Sequence, residues 1–426
     1  MNKNRRKVLK ALGSAGVVAA AAPLGFPAIA QNRPLRVGII APKAGIAGTI
    51  GECGMRGTLF AVDKINAAGG IAGRKVELVV EEETNPKESI ERLRKLVLQD
   101  KVDCVQGLVS SGVSLAMGPA AEEMKALTIY WDGTTQDGVK ETMPNPRYVF
   151  RSTDNECEAV MASLLAIKHW KGKFATIAGI NPDYSYGRNN FAAFQALLKK
   201  FGVQFRVVAD QWPKVGTLDL TSHVAALKAA KPDLIFSSLL FADLPVFMKT
   251  AHGAGLMEGG TKFVFPAAGF QFTSLKKEFT PEGMIFGHNT LYFDLKTASP
   301  LQREFVQMYE SRYKDYPHWE ADRAYLAMQV YRAGVEAAYK AKNAWPTTED
   351  VINSIEGIKV ESLGGPAHMR KDHVPEQTFY QGLTTHNNKY DFPTLGAVDT
   401  MYSTQLQKPK ASDDFWKWIE TAEIKL

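Results

Sequence analysis

Leu35-Arg36-Val37-Gly38-Ile39-Ile40, then Met55, Leu59, Val62 and Ile65, then Asn66-Ala67-Ala68-Gly69-Gly70, then Val76-Glu77-Leu78-Val79-Val80: the order of these four pieces decides the fold. The first and last are short apolar runs of strand length, the second recurs at helical spacing, and the glycine pair stops the helix. A further helix follows through Ile90, Leu93 and Val97. The series continues with apolar runs at 102–107, 127–130, 174–177, 203–208, 234–236 and 263–265, each closed by a Gly/Ser/Pro-rich turn. Strand-helix alternation of this kind builds right-handed βαβ units and doubly wound parallel sheets, so the fold class is α/β.

Working outward, Lys101-Val102-Asp103-Cys104-Val105 runs into Ser110-Ser111, and Lys231-Pro232-Asp233-Leu234-Ile235 runs into Ser237-Ser238. The match is short. With a length of 426 residues it points to two α/β domains of like topology, each with a polar loop at the C-terminal edge of a strand, where open α/β sheets bind ligands. After Pro300 long helices take over: Leu326, Val330, Ala333 and Ala337 share one face, Val351 to Ile355 begin another helix, and Gly364-Gly365-Pro366 breaks it. A late strand is expected over 378–384 and a terminal amphipathic helix over 414–419, its tryptophans acting as packing anchors.

The chain carries 51 Lys+Arg against 45 Asp+Glu, a formal +6. Lys3, Arg5, Arg6, Lys7 and Lys10 lie in a first thirty residues that contain no acid, and they account for all but one of those charges. The excess therefore marks an address and not a nucleic-acid or membrane-surface partner. The paired arginines, the weakly apolar run 11–22 and the small-x-small site Ala28-Ile29-Ala30 read as a secretory signal of the twin-arginine subtype over residues 1–30. The apolar run is well short of the ~20 residues of a membrane span. Cleavage is expected near Ala30-Gln31, with release into the periplasm.

Catalytic signatures are absent: there is no G-x-S-x-G elbow, no H-E-x-x-H and no P-loop lysine. The eight histidines are scattered, so no metal site is expected, and Cys53, Cys104 and Cys157 are expected as three buried thiols. One enzyme alternative exists. Gly45, Gly48, Gly51, Gly54 and Gly57 follow the first strand, and Glu81-Glu82-Glu83 closes the second where a dinucleotide fold places a ribose-binding acid. The glycines fall every third residue without a G-x-G step, which argues against an exported NAD(P)-dependent oxidoreductase. The polar loops point to holding a ligand: Ser110, Ser111 and Gly112 open a helix whose amides and hydroxyls suit a carboxylate, and Asp132, Gly133 and Thr134 form a second loop alongside. Ser110 or Ser111 also reads as a helix N-cap, and Asp132 as a turn former.

The run Ile65-Asn66-Ala67-Ala68-Gly69-Gly70-Ile71-Ala72-Gly73, Asn85-Pro86-Lys87, the Ser-Ser-Gly loop, the Asp132–Thr135 loop and Tyr184-Ser185-Tyr186-Gly187 together resemble the periplasmic leucine/isoleucine/valine-binding family of type I solute-binding proteins. The resemblance implies two lobes, 33–151 with 289–364 and 152–288 with 365–405, joined by three hinge crossovers near Arg151, His288–Thr290 and Gly364–Pro366, with a C-terminal tail helix at 406–426. It implies a monomer without a cofactor that closes on one small molecule and presents it to the permease and ATPase of an inner-membrane ABC importer; a periplasmic ligand sensor is the alternative within the fold. Carried over by position, Ser111 and Thr134 hold a ligand carboxylate, while Tyr184, Tyr186, Leu240, Phe241, Ala268 and Phe270 cover it from the second lobe. The family's ammonium-pairing acid is expected after 263–265. Here that stretch reads Pro266-Ala267-Ala268-Gly269-Phe270. The expected ligand is therefore a small carboxylate, either an aromatic or aliphatic acid lacking an amine or an amino acid whose ammonium Asp132 pairs.

Overall fold

The turn at residues 66–76 shows how local sequence sets the frame. The Asn66 side chain accepts from the Val76 amide at 2.8 Å and donates to the Val76 carbonyl at 3.0 Å. Gly69, Gly70 and Gly73 all take positive φ, and a Cβ on Gly70 would lie 2.1 Å from the Arg74 carbonyl. Only glycine lets the chain reverse here, so the helix ends and the next strand begins at a fixed register.

The computed structural model describes residues 33–153 and 156–426. The export signal expected over residues 1–30 lies outside them. The first part runs β1 (Leu35–Ala41), α1 (Gly48–Ala67), β2 (Val76–Glu82), α2 (Pro86–Arg94), β3 (Cys104–Gly107), α3 (Ser111–Glu123), β4 (Thr128–Tyr130), α4 (Gln136–Thr142) and β5 (Val149–Arg151). These strands form a parallel sheet in the order β2-β1-β3-β4-β5. The chain then crosses into α5 (Glu156–Trp170), β6 (Thr176–Ile180), α6 (Ser185–Lys200), β7 (Arg206–Gln211), α7 (Thr221–Ala230), β8 (Leu234–Phe236), α8 (Asp243–Gly253), β9 (Lys262–Phe265) and β10 (Ile285–Asn289). It returns through α9 (Pro300–Tyr313), α10 (Trp319–Lys342) and α11 (Thr348–Ile355), a small antiparallel sheet of β11 (Lys359–Ser362), β12 (Gly365–Met369) and β13 (Pro375–Glu376), then β14 (Thr378–Thr385), β15 (Thr394–Tyr402) and α12 (Phe415–Thr421). The second large sheet is ordered β15-β14-β10-β9-β8-β6-β7, parallel except for the pairings of β14.

The long helix α10 returns to the first half and packs on α1. A Cβ on Gly57 would lie 2.1 Å from the Ala321 carbonyl, and one on Gly54 would strike the Trp131 ring and the Glu320 stem. Gly54 and Gly57 thus form a packing groove for Trp131 and α10, and Gly51 sits tight against the Pro42 carbonyl. Phe305, Tyr309, Leu326, Val330, Val335 and Ile352 join Val37, Ile39 and Phe60 in the first core. Leu363, Ala367 and Met369 also pack there, so the last crossing falls later than the Gly364–Pro366 break suggests: the chain enters the second sheet at Thr378. Gly364 still touches the middle crossing, since its amide donates to Asp322 and a Cβ would meet the Thr290 carbonyl.

The three cysteines are free and buried, as the sequence suggests. The terminal helix starts one residue later than expected, anchored by Phe415 and Ile419, while Trp416 donates to Asp137 of α4 at 3.2 Å and Lys140 pairs with Asp414 at 2.7 Å. Among the described residues, no helix is long and apolar enough to cross a membrane.

Candidate functional site

The loops expected to hold a ligand leave the C-terminal ends of β3 and β4. Gly107 and Leu108 both take positive φ, turning the chain sharply under the Ile40 carbonyl before α3 begins. Ser110 is the N-cap residue of α3, but its side chain makes no capping bond. The amides of Val109 and Ser110 are instead claimed by the Glu83 carboxylate, at 2.7 and 2.8 Å. Half of the amide cradle that the sequence suggests is therefore filled by the protein's own acid. Ser111 is buried and its amide, in the first helical turn, has no intrahelical acceptor, whereas Gly112 is exposed.

The second loop differs more from expectation. Asp132 does not stand ready for an ammonium: it is ion-paired with Arg323 of α10, and its other oxygen accepts from the Gly133 amide at 2.6 Å. Gly133 has φ +70° and sits so close to the Val109 and Ser110 backbone that a Cβ would clash, which locks the two loops together. Thr134 and Thr135 are buried and their hydroxyls have no hydrogen-bond partner among the described residues.

From the second half, Tyr186 donates to Glu158, which also accepts from Asn289 and lies 3.8 Å from Arg323. Tyr184 stacks on Tyr186 with centroids 6.0 Å apart. Leu240, Phe241, Tyr186 and Phe270 join Val109, Trp131, Trp319 and Ile50 in one apolar cluster that spans both halves. Phe270 lies on Trp319 at 3.9 Å. Ala268 is the exception: it packs into the core of the second half, and its neighbour Ala267 meets the first.

Three carboxyl groups thus converge on one guanidinium, Asp132, Glu158 and Glu320 around Arg323, and Glu83 lies close enough to Asp132 and Glu320 to feel their charge; all are buried. Burial, more than Asp132, pushes the Glu83 carboxyl up to about 7 against the two amides that lower it. Burial raises Glu158 to about 8, opposed by Arg323. Glu320 is held well above the carboxylate range by burial and then by the Asp132 charge. The buried His288 and His318 are both pushed down to about 3 by burial and stay neutral. Trp131 Nε1, Trp319 Nε1, both Glu320 oxygens and Arg323 Nε and Nη2 lack hydrogen-bond partners among the described residues. Each such buried group costs on the order of 1–3 kcal/mol unless something fills it.

Glu158, Trp319, Glu320 and Arg323 are not among the residues the sequence suggests. A signal existed: Glu320, Asp322 and Arg323 put three charges into the first turn of the helix, just ahead of the apolar run Ala324–Met328. Among the described residues, no group of three or more His, Cys, Asp or Glu is arranged to hold a metal ion. An open groove of about 660 Å³ lined by Tyr292, Lys296, Asn388 and Tyr390 lies elsewhere, away from these loops.

A family model described as periplasmic binding protein matches residues 34–384. The Leu/Ile/Val-binding protein homolog 3 of Brucella melitensis is 28% identical over 335 residues, 78% of this chain and 85% of that protein. A solute-binding protein of an ABC transporter from R. palustris, solved with benzoate, superposes with a TM-score of 0.71 at 23% identity, covering 86% of this chain and 96% of that one. The branched-chain amino acid transporter substrate-binding protein of Streptococcus pneumoniae, solved with isoleucine, gives 0.70 at 20% identity over 87% and 100%. With two α/β halves, converging loops and a match across most of its length, this chain belongs to the periplasmic binding protein family and is a solute-binding protein.

Proposed function

We propose that the protein captures a small carboxylate-bearing solute between its two halves in the periplasm and hands it to the permease and ATPase of an ABC importer. One observation carries the reading: among the described residues, buried hydrogen-bonding atoms of the second polar loop (Thr134, Thr135) and of α10 are unmatched beside aromatic and aliphatic side chains from the other half. The Ser111 amide and hydroxyl with the Thr134 hydroxyl receive the carboxylate, and Tyr184, Tyr186, Leu240, Phe241 and Phe270 cover the rest. The three crossovers act as hinges, and closure over the solute creates the shape the membrane partner reads. The twin-arginine signal supplies export, with processing near Ala30-Gln31.

A thermal-shift screen over benzoate, hydroxybenzoates and branched-chain amino acids tests this, because these are the solutes that structurally similar proteins were solved with. A solute at one hundred times its Kd adds ~2.7 kcal/mol of stability. A flat response to every member, with no small molecule copurifying by mass spectrometry, rejects the proposal.

A further inference from the structure

We infer that the C-terminal tail is a clasp for the closed molecule and that Asp137 of α4 is its catch; the inference rests on reading the two halves as a pair that opens and closes. The tail lies beyond the residues that the family model matches. It is moored first to the third crossover: the Arg370 guanidinium donates to the Lys408 carbonyl at 3.0 Å, and the Ala411 amide donates to Asp372 at 2.7 Å. From there α12 packs on α6. Phe415 and Ile419 join Phe194 and Leu198 in the second core, and Lys200 donates to the Glu420 carbonyl at 3.1 Å. These anchors make the tail part of the second half.

Its polar contacts run the other way. The helix α4 directly follows the Asp132–Thr135 loop, packs on α3 and belongs to the first half. In its first turn Asp137 accepts from Trp416 Nε1 of α12 at 3.2 Å with one oxygen and from Asn189 Nδ2 of α6 at 2.6 Å with the other. One turn on, Lys140 pairs at 2.7 Å with Asp414, the residue that opens α12. All three contacts join the halves, and two of them start from the tail.

This division between anchor and catch is what a clasp needs. When the halves part, Phe415 and Ile419 stay buried in the second half, and only the polar contacts to α4 have to break. Asp137, Lys140, Asp414 and Trp416 are half-buried or exposed, so water takes over the groups that separate and opening stays reversible. Hydrogen bonds to a carboxylate are stronger than those between neutral groups. Two of them converging on Asp137, with an ion pair beside them, bias the molecule toward the closed form without locking it.

The test reads closure directly and needs no solute. Nitroxide labels on Ala44→Cys and Lys214→Cys sit on exposed loops of the two halves, flanking the point where a Cβ on Gly216 would lie 3.6 Å from Ile46, while the three native thiols are buried. Pulsed electron resonance then gives the ratio of short to long separations. In the full chain this ratio is expected to fall by about threefold or more in Asp137→Ala, and by about twofold or more in Trp416→Phe, which keeps an aromatic ring but removes the N–H. Trp418→Phe, on the same helix and stacked on Phe415 at 5.9 Å, should leave it unchanged. Melting midpoints show that each variant folds. No short separation in the unsubstituted tail, equal ratios in Asp137→Ala and Trp416→Phe, or an equal fall in Trp418→Phe overturns the clasp and leaves solute capture intact. A flat solute screen, by contrast, fails the proposed function while the label distances still decide the clasp.

Discussion

Lys101 and Lys231 stand at the same place ahead of β3 and β8, and both take left-handed φ, +52° and +48°. Two residues on, Asp103 accepts from the Arg36 amide at 2.9 Å and Asp233 from the Ala175 and Thr176 amides at 2.9 and 2.8 Å, each tying its strand to the start of the one it pairs with. The likeness extends to the helix that follows the first strand of each half: a Cβ on Gly51 of α1 would strike the Pro42 carbonyl, and one on Gly187 of α6 the Pro182 carbonyl. Beyond the strands the two diverge. The loop after β3 has its amides fixed by a buried carboxylate, Glu83, and delivers Ser111; the loop after β8 has Ser238 fixed by a neutral amide, Asn181, and delivers Leu240 and Phe241. The same frame thus carries hydroxyls and Asp132 at one set of loops and apolar side chains at the other, while Glu158 of α5 brings a buried carboxyl from the second half toward Arg323. In the proposed function the first half grips the solute and the second covers it.

The largest effect should come from the charged side. Asp132→Asn leaves the Arg323 guanidinium buried without its partner and is expected to cost about 3–5 kcal/mol in urea denaturation. A loss below 1 kcal/mol would break the claim that the first half is organised by buried charge.

Titration should sharpen the contrast further. Glu83 and Glu158 are raised from 4.5 to about 7 and about 8, so between those limits the native state holds protons that the unfolded chain has released. Their contribution is fully present below about pH 4.5 and is lost as pH rises through 7 and 8. The melting midpoint is therefore expected to fall between pH 6 and pH 9, and Glu158→Gln should flatten the upper part of that fall. A midpoint that rises with pH would contradict the assignment.

Ser111→Ala with Thr134→Ala should weaken a bound carboxylate by about tenfold or more, roughly 1.4 kcal/mol, read by calorimetry. Ser238→Ala, at the matching loop, removes the bond to Asn181 and should cost about 1 kcal/mol of stability with affinity little changed. If the two substitutions have interchangeable effects, the halves are not divided as described. Least of all, Lys140→Ala should leave the midpoint where it was, because the pair with Asp414 is solvent-exposed.

Much of the frame was legible because it depends on neighbours in the chain. Strand length, helical spacing and the Asn66–Gly73 turn are local, and the structure places β1, α1 and β2 where those signals fall. The short internal match at Lys101 and Lys231 reflected shared backbone geometry, since a strand entered from a left-handed residue needs the same Asp to tie it down. The proposed contacts Ser111, Thr134, Tyr186 and Phe241 follow the ends of β3, β4, β6 and β8, positions that the strand-helix alternation already implies. Ala268 was misplaced by one residue, because a short turn after β9 rotates its side chain into the second core. The glycines after β1 looked like a phosphate loop that had lost its spacing; only the return of α10 shows what they are for.

By itself the sequence determined the α/β class, the two similar halves and the polar loops, all of which follow from periodicity and from which end of a parallel strand a loop leaves. The tertiary structure alone decided the electrostatics of the cleft. Asp132, Glu158 and Arg323 are separated by 26 to 191 positions and meet only because the chain crosses between halves and comes back. Charge pairing in a dry interior depends on distance in space and on what water is excluded, and neither is written in local spacing.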